Sequence, residues 1–415
     1  MKKKLLIGFV VLLAGYVAWE QVKGSIFTWA AIHVVPRETD FPSSEEPDQL
    51  CLTWSGNPAE SQAVNWRTSP ATEDGWVQFR EKGVEALREV EAERLLTEDP
   101  MLKNDPKIHR FTALLTDLKP ATTYEYRAGS KTKDHWTDWN SFVTAPAEPT
   151  PFHFLYLGDA QVGLEYYGEL LHRAHGQYPG AAFHIVAGDL VNSGACRNEW
   201  DEFFHASAGV FSQKTLVPCL GNHDYQKQDV PAIYLNSFAL PTNGPEGFPA
   251  ERAFSFTYGN VFFIVLDSNR PAGEQAAWLD EELGKSSARW KIAVYHHPAY
   301  SSAPHRDNDG VLQEWCPLFD KHGVDVALQG HDHAYLRTYP MKGGKRAPEG
   351  EKGTYYTVTV SGTKYYEQEN HDYAEVAFPE VSTYQVIEIG MNPDRLTYKA
   401  FDFDHELRDE FTITK

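Results

Sequence analysis

The sequence predicts a two-part protein, an all-β sandwich followed by an α/β domain of two β-sheets flanked by helices. Three observations carry this. Residues 42–146 hold short alternating apolar runs separated by turn residues, the pattern of strands with one buried face. From Phe152 onward, continuous apolar runs of strand length alternate with segments of helical spacing, as in a layered α/β unit. Between them, Ala145-Pro146-Ala147-Glu148-Pro149-Thr150-Pro151 places three prolines in seven residues, which disfavours any regular element.

The chain starts Met1-Lys2-Lys3-Lys4 and continues with an apolar run from Leu5 to Trp19. A basic start before such a run marks an export segment. The run is shorter than the roughly 20 apolar residues of a membrane helix. Yet no small-x-small cleavage site closes it, because Tyr16-Val17-Ala18 puts a bulky residue where a small one belongs. Residues 1–24 are therefore expected to be a signal peptide or a membrane anchor through residues 5–19. Either way, the rest of the chain faces the periplasm or the cell surface.

In the first part, Leu50-Cys51-Leu52-Thr53-Trp54 and Ala63-Val64-Asn65-Trp66-Arg67-Thr68 alternate, with Gly56, Asn57 and Pro58 turning between them. Leu118-Lys119-Pro120-Ala121-Thr122-Thr123-Tyr124, followed by Tyr126, has the form of a sandwich's tyrosine corner. The charged stretch Arg80 to Pro106 fits a helix or a long hairpin arm.

In the second part (151–415), strands are expected at Phe152–Leu157, Phe183–Ala187, Leu216–Leu220, Val261–Leu266, Ile292–Tyr295 and Val324–Leu328. Helices are expected within 162–176, 197–211, 274–286 and 310–322. Tyr355–Ser361, Thr383–Ile389, Leu396–Phe401 and Glu410–Ile413 read as antiparallel strands completing a second sheet.

A formal charge of -20 over 415 residues argues against a nucleic-acid backbone as partner. It allows a small phosphorylated substrate, because bound cations reverse the local charge. Of the four cysteines, Cys51 and Cys219 sit in strand readings as small buried hydrophobes. Cys196 and Cys316 could bridge in an exported compartment. No Cys-x-x-Cys pattern offers thiolates to a metal.

Five strand ends carry oxygen or nitrogen ligands: Leu157-Gly158-Asp159, Ala187-Gly188-Asp189, Leu220-Gly221-Asn222-His223-Asp224, Tyr295-His296-His297-Pro298 and Gly330-His331-Asp332-His333. Polar groups in one register at strand carboxyl ends read as a two-metal hydrolase site. His109, His135, His172, His175, His205, His322, His371 and His405 stand outside that pattern, and His153 and His184 read as satisfied core or face residues.

This order of ligands resembles the calcineurin-like metallophosphoesterases, and within them the purple acid phosphatases and their bacterial relatives. The motifs are Gly188-Asp189, Gly221-Asn222-His223-Asp224, His296-His297-Pro298-Ala299-Tyr300 and Gly330-His331-Asp332-His333-Ala334-Tyr335. The resemblance covers residues 42–415 and implies a fibronectin type III-like N-terminal sandwich. It implies that Asp189 bridges two metals, since a carboxylate can face two cations about 3.5 Å apart. Asp159 and His333 would serve the first metal, and Asn222, His296 and His331 the second. His223 and His305 would meet the substrate, and His297 would orient a ligand.

Two departures bear on the metal. Purple members place a tyrosine three residues after the bridging aspartate, where this chain has Asn192. Other relatives use Asp-x-His, where this chain reads Asp159-Ala160-Gln161. Gln161 or Asn192 could supply an amide oxygen instead. A ferric-tyrosinate colour is not expected, and divalent manganese, zinc, iron or magnesium suits such donors. The implied function is an acid phosphatase-like hydrolysis of phosphomonoesters by attack of a metal-bound hydroxide. The same core would support a phosphodiesterase. A rival of another class is a non-catalytic surface binding protein with a degraded metal site.

Overall fold

The computed structural model describes residues 34–225, 230–306 and 308–415. The export or anchor segment expected at 1–24 lies outside them. Among the described residues no helix is long and apolar enough to cross a membrane.

The N-terminal part is built from β1 (Asp48–Thr53), β2 (Gln62–Thr68), β3 (Trp76–Glu81), β4 (Arg88–Glu91), β5 (Glu93–Glu98), β6 (Lys107–Leu115), β7 (Thr123–Ser130), β8 (His135–Trp136) and β9 (Asn140–Val143). One sheet runs β1-β2-β6-β5 and the other β4-β3-β7-β8, with β9 beside β8 on the same edge of β7. Leu52, Val64, Trp66 and Phe111 of the first meet Val77, Phe79, Tyr126 and Phe142 of the second in a closed core. The Lys119 amide donates to Tyr124 Oη at 2.9 Å, the bond that a tyrosine corner makes. Of the two readings for 80–106, the helix is not formed. β4 pairs with β3 and β5 pairs with β6, so the chain changes sheets at Ala92. The charged side chains there face solvent from edge strands.

The second part continues with β10 (Phe152–Leu157), α1 (Leu164–Gln177), β11 (Phe183–Ala187), α2 (Arg197–Ala206), β12 (Thr215–Cys219) and α3 (Ala232–Ser237). Next come β13 (Phe254–Tyr258), β14 (Val261–Val265), α4 (Gly273–Lys285), β15 (Trp290–Val294), α5 (Asp309–Glu314), α6 (Cys316–His322) and β16 (Val326–Gln329). The tail adds β17 (Tyr335–Thr338), β18 (Met341–Lys342), β19 (Lys345–Arg346), β20 (Tyr355–Val358), β21 (Ala374–Phe378), β22 (Thr383–Gly390), β23 (Arg395–Asp402) and β24 (Leu407–Thr414). The strands form two large sheets, β12-β11-β10-β22-β23-β24 and β13-β14-β15-β16-β20-β17-β21, with β18 and β19 paired apart from them. The sheets meet through aromatic side chains. Phe154 stacks on Phe183 at 4.9 Å and meets Phe263 edge-on at 5.4 Å. On the far side of the second sheet, Leu279, Leu283 and Phe319 of α4 and α6 pack on Ile264 and Tyr295.

Three expectations are corrected. The tail does not complete one sheet: β20 joins the second, whereas β22, β23 and β24 extend the first beside β10. The helix expected at 310–322 is broken at Trp315, because Pro317 brings no N–H and fits only a first turn. No bridge joins Cys196 and Cys316, since all four cysteines are buried and free.

β10, β11 and β12 run parallel, as do β14, β15, β16 and β20. Their carboxyl ends therefore open on one side, where ligands collect in α/β folds.

Candidate metal centre

Five of the seven parallel strands end in a tight turn that delivers one or two polar side chains to the site. β10 leads to Asp159, β11 to Asp189, β12 to Asn222 and His223, β15 to His296, and β16 to His331 and His333. Asp159, Asp189, His331 and His333 all adopt left-handed backbone angles, with φ of 52°, 51°, 76° and 46°. That conformation costs a residue with a Cβ roughly 1–2 kcal/mol and persists where the surroundings over-determine it. The turns also interlock. A Cβ at Gly221 would lie 2.1 Å from Asp189 N and Oδ1, and one at Gly330 would lie 2.2 Å from Asp159 Oδ2. The glycines before the ligands are thus a consequence of close approach.

Asp189, His296 and His331 offer atoms within 4.8 Å of one another, and so do Asp159, Asp189 and His333. Asp189 belongs to both groups. His296 Nδ1 donates to Ala187 O at 2.9 Å, so its Nε2 presents a lone pair. That Nε2 lies 3.2 Å from Asp189 Oδ2, from Asn222 Oδ1 and from His331 Nδ1. His333 Nδ1 donates to Lys364 O at 3.0 Å, and its Nε2 faces Asp159 Oδ1 at 3.5 Å. Asp159 Oδ1 and Asp189 Oδ2 are buried without a hydrogen-bond donor. Lone pairs converging in a dry pocket repel unless a proton or cation sits among them. The donor set therefore fits two cations sharing Asp189.

The electrostatics agree. Burial works against a charged His296, but the Asp189 and Asp159 carboxylates outweigh it and push its pKa up to about 10. Burial likewise opposes ionisation of Asp189, yet His296 and the His223 amide bring its pKa down to about 2. Burial, with help from charged neighbours, lowers His297 to about 3 and His333 to about 4. Without a cation His296 itself carries the positive charge while His297 and His333 stay neutral, so the focus demands positive charge, which a metal can supply as it displaces the His296 proton.

The His223 amide donates to Asp189 Oδ1 at 2.8 Å, and its Nδ1 donates to Asn192 O at 2.6 Å. Its Nε2 is left for a ligand. His297 Nδ1 lies 2.8 Å from Ser268 Oγ, and its ring centroid is 4.2 Å from that of His331. His305 is exposed, in a left-handed conformation, beside Arg306. Of the two amides considered for the first site, the structure brings only one there. Gln161 is buried, with Nε2 at 2.8 Å from His333 Nε2 and Oε1 without a donor. Asn192 is exposed and contributes its main-chain carbonyl to His223.

Two carboxylates in the motifs do work that the sequence reading missed. Asp224 accepts the Leu190 and Gly221 amides at 2.9 and 2.8 Å, tying the β11 and β12 turns together. Asp332 accepts Ser301 Oγ, Ser302 N and Arg306 Nε at 2.7, 2.6 and 2.8 Å, clamping the His305 loop to the β16 turn. Their only sequence signal was position inside a ligand motif. His184, read as a satisfied core histidine, is fully buried with neither ring nitrogen bonded.

Residues 47–144 match the family described as purple acid phosphatase, N-terminal domain, and residues 152–335 match calcineurin-like phosphoesterase. An uncharacterized protein of Mycobacterium tuberculosis is 26% identical over 339 residues, covering 71% of this chain and 62% of its own, so the chain spans less than two thirds of that relative. Purple acid phosphatase 18 of Arabidopsis thaliana is 28% identical over 349 residues, covering 78% of this chain and 76% of its own. The purple acid phosphatase of yellow lupin (Lupinus luteus) seeds shares the fold, with a TM-score of 0.75 at 19% identity over 89% of this chain and 74% of that one.

Proposed function

Because this chain belongs to the calcineurin-like phosphoesterases and carries a purple acid phosphatase N-terminal domain, we propose that it is an exported two-metal hydrolase of phosphomonoesters. The observation that carries the reading is the position of Asp189, shared by two clusters of buried lone-pair atoms. Asp159, His333 and Gln161 would complete one metal site, and Asn222, His296 and His331 the other. Two bound cations would lower the pKa of a water and neutralise phosphoryl charge.

The protein's own groups do the rest. Ala187 O and Lys364 O fix the His296 and His333 tautomers, so that Nε2 of each points inward. His223, held through Nδ1, would donate from Nε2 to a phosphoryl oxygen or protonate the leaving group. His305, on its exposed loop, is the second candidate acid. Oxygen and nitrogen donors suit divalent manganese, zinc, iron or magnesium. With Asn192 in place of a tyrosine, no ferric charge-transfer colour is expected. The substrate would be a small phosphorylated molecule met in the periplasm or at the cell surface. Residues 5–19 would serve as the membrane anchor if they are retained.

The test is metal analysis of protein purified without chelator, beside hydrolysis of p-nitrophenyl phosphate and of bis-p-nitrophenyl phosphate. Near two metals per chain and monoester turnover abolished in Asp189→Asn are expected. Faster diester turnover would shift the assignment to a phosphodiesterase. One metal or none, with neither ester hydrolysed, would favour the binding-protein reading.

A further inference from the structure

The N-terminal sandwich and the α/β layer meet along a groove of about 620 Å³ with no part in the metal chemistry. Arg110 and Leu114 line it from one face of β6, and Leu95, paired with Arg110, lines it from β5. Leu235 and Phe238, from α3 and its C-cap, form the opposite wall.

Arg110 is 2% exposed. Among the described residues no atom accepts a hydrogen bond from its Nε, Nη1 or Nη2. Its guanidinium carbon lies 4.9 Å from the Phe204 ring centroid. The neighbouring carboxylates are already engaged. Asp201 takes Arg67 at 2.6 Å and Arg197 at 3.2 Å, and Asp105 takes Arg197 at 3.1 Å. An isolated buried charge is unfavourable unless an anion joins it. The planar fork of an arginine suits a carboxylate, which it can grip with two parallel bonds.

The groove's lip is apolar, with Leu95 47% and Leu114 48% exposed. Glu91 and Glu93 also border the groove from exposed positions. Buried unpaired cation and exposed apolar lip together describe a complementary ligand. We propose that this groove binds a small amphiphilic carboxylate, its head on Arg110 and its chain along Leu95, Leu114, Leu235 and Phe238. A cavity of this size is typical of small-molecule sites.

The test is isothermal titration of the full chain with sodium decanoate below its micellar concentration, with anionic phosphatidylglycerol vesicles as the second arm. Saturable one-to-one binding of decanoate is expected, weakened at least tenfold by Arg110→Met and by Leu114→Asp. Arg110→Met removes an unpaired charge, so without ligand it should melt no lower than wild type and hydrolyse p-nitrophenyl phosphate equally well. Equal decanoate binding by Arg110→Met, or none by wild type, overturns the proposal. Binding to vesicles without binding of free decanoate also overturns it, in favour of a membrane contact.

Discussion

His296 Nε2 lies 3.2 Å from Asp189 Oδ2, and with Nδ1 given to Ala187 O neither facing atom carries a proton unless the ring is charged. Such a contact is repulsive until positive charge sits beside it. Metal removal should therefore cost stability as well as activity. A chelator should lower the melting temperature of the wild type by several degrees, since a ligand at a hundred times its Kd contributes about 2.7 kcal/mol. In Asp189→Asn the chelator should change nothing. Scanning calorimetry beside metal analysis checks this, and two tightly held metals in the variant would remove Asp189 from its bridging role.

As a candidate ligand beside His333, Gln161 would set the balance between the two proposed sites. Its amide stands 2.8 Å from His333 Nε2 in a position 4% exposed. A neutral amide donor contributes less than a charged or imidazole ligand, so the site at His333 should fill last and empty first. Gln161→Ala should bring metal content from near two per chain to near one, and Gln161→His should restore it. Metal titration followed by elemental analysis reads the change. If Gln161→Ala keeps both ions, the amide is a hydrogen-bonding neighbour of His333 and no more.

Asp332 clamps the His305 loop to the turn that carries His331 and His333. Its carboxylate, fully buried, gathers Ser301, Ser302 and Arg306. Asp332→Asn keeps the shape but weakens the grip on Arg306. Losses at such outer positions run about 10–100-fold in metal affinity. Competition with a chromophoric chelator measures this, and unchanged affinity in a folded variant would confine Asp332 to loop packing.

The candidate ligands were legible because most obey a local rule, an apolar strand followed by glycine and a polar residue. Phe152–Leu157 and Phe183–Ala187 are strands over the expected residues, since a strand in a parallel sheet is covered on both faces and its sequence is a near-continuous apolar run, broken here only by His153 and His184. Pairing is different. Thr383–Gly390 lies beside β10 across more than 200 residues of chain, and nothing in its alternation names that neighbour. Asp224 and Asp332 escaped notice for the same reason. What each does depends on which backbone amides the distant turns bring to it. The Arg88–Glu98 region stayed open between helix and hairpin arm because an edge strand exposed to water can carry the charges of a surface helix.

Asp201 ties the two parts of the chain. It lies on α2 with no exposure and takes Arg67 of β2 at 2.6 Å and Arg197 at 3.2 Å. Removing one member of a buried ionic group strands the others. Asp201→Ala should cost about 3–5 kcal/mol, read as a lower urea midpoint with an unchanged slope. A loss under about 1 kcal/mol would mean that the arginines find other partners or water, as exposed pairs do.

His184 predicts the acid limb of stability. It sits on β11 with its ring between Phe211 at 6.0 Å and His175 at 5.8 Å, neither nitrogen bonded. Burial, and then the nearby His175 and Lys214, hold its pKa well below the ordinary 6.5. In the unfolded chain the ring takes up a proton as pH falls through 6.5, whereas in the folded chain it stays neutral. The unfolded state then binds more protons, so stability is lost as pH drops below 6.5 and is fully present above it. One such group contributes a slope of about 1.4 kcal/mol per pH unit. His184→Phe keeps a ring in the space and removes the titration. Its unfolding free energy between pH 6.5 and 5 should fall less steeply than that of the wild type by that amount, with equal slopes above pH 7. Parallel curves through the acid range would show that His184 finds a proton partner in the folded core.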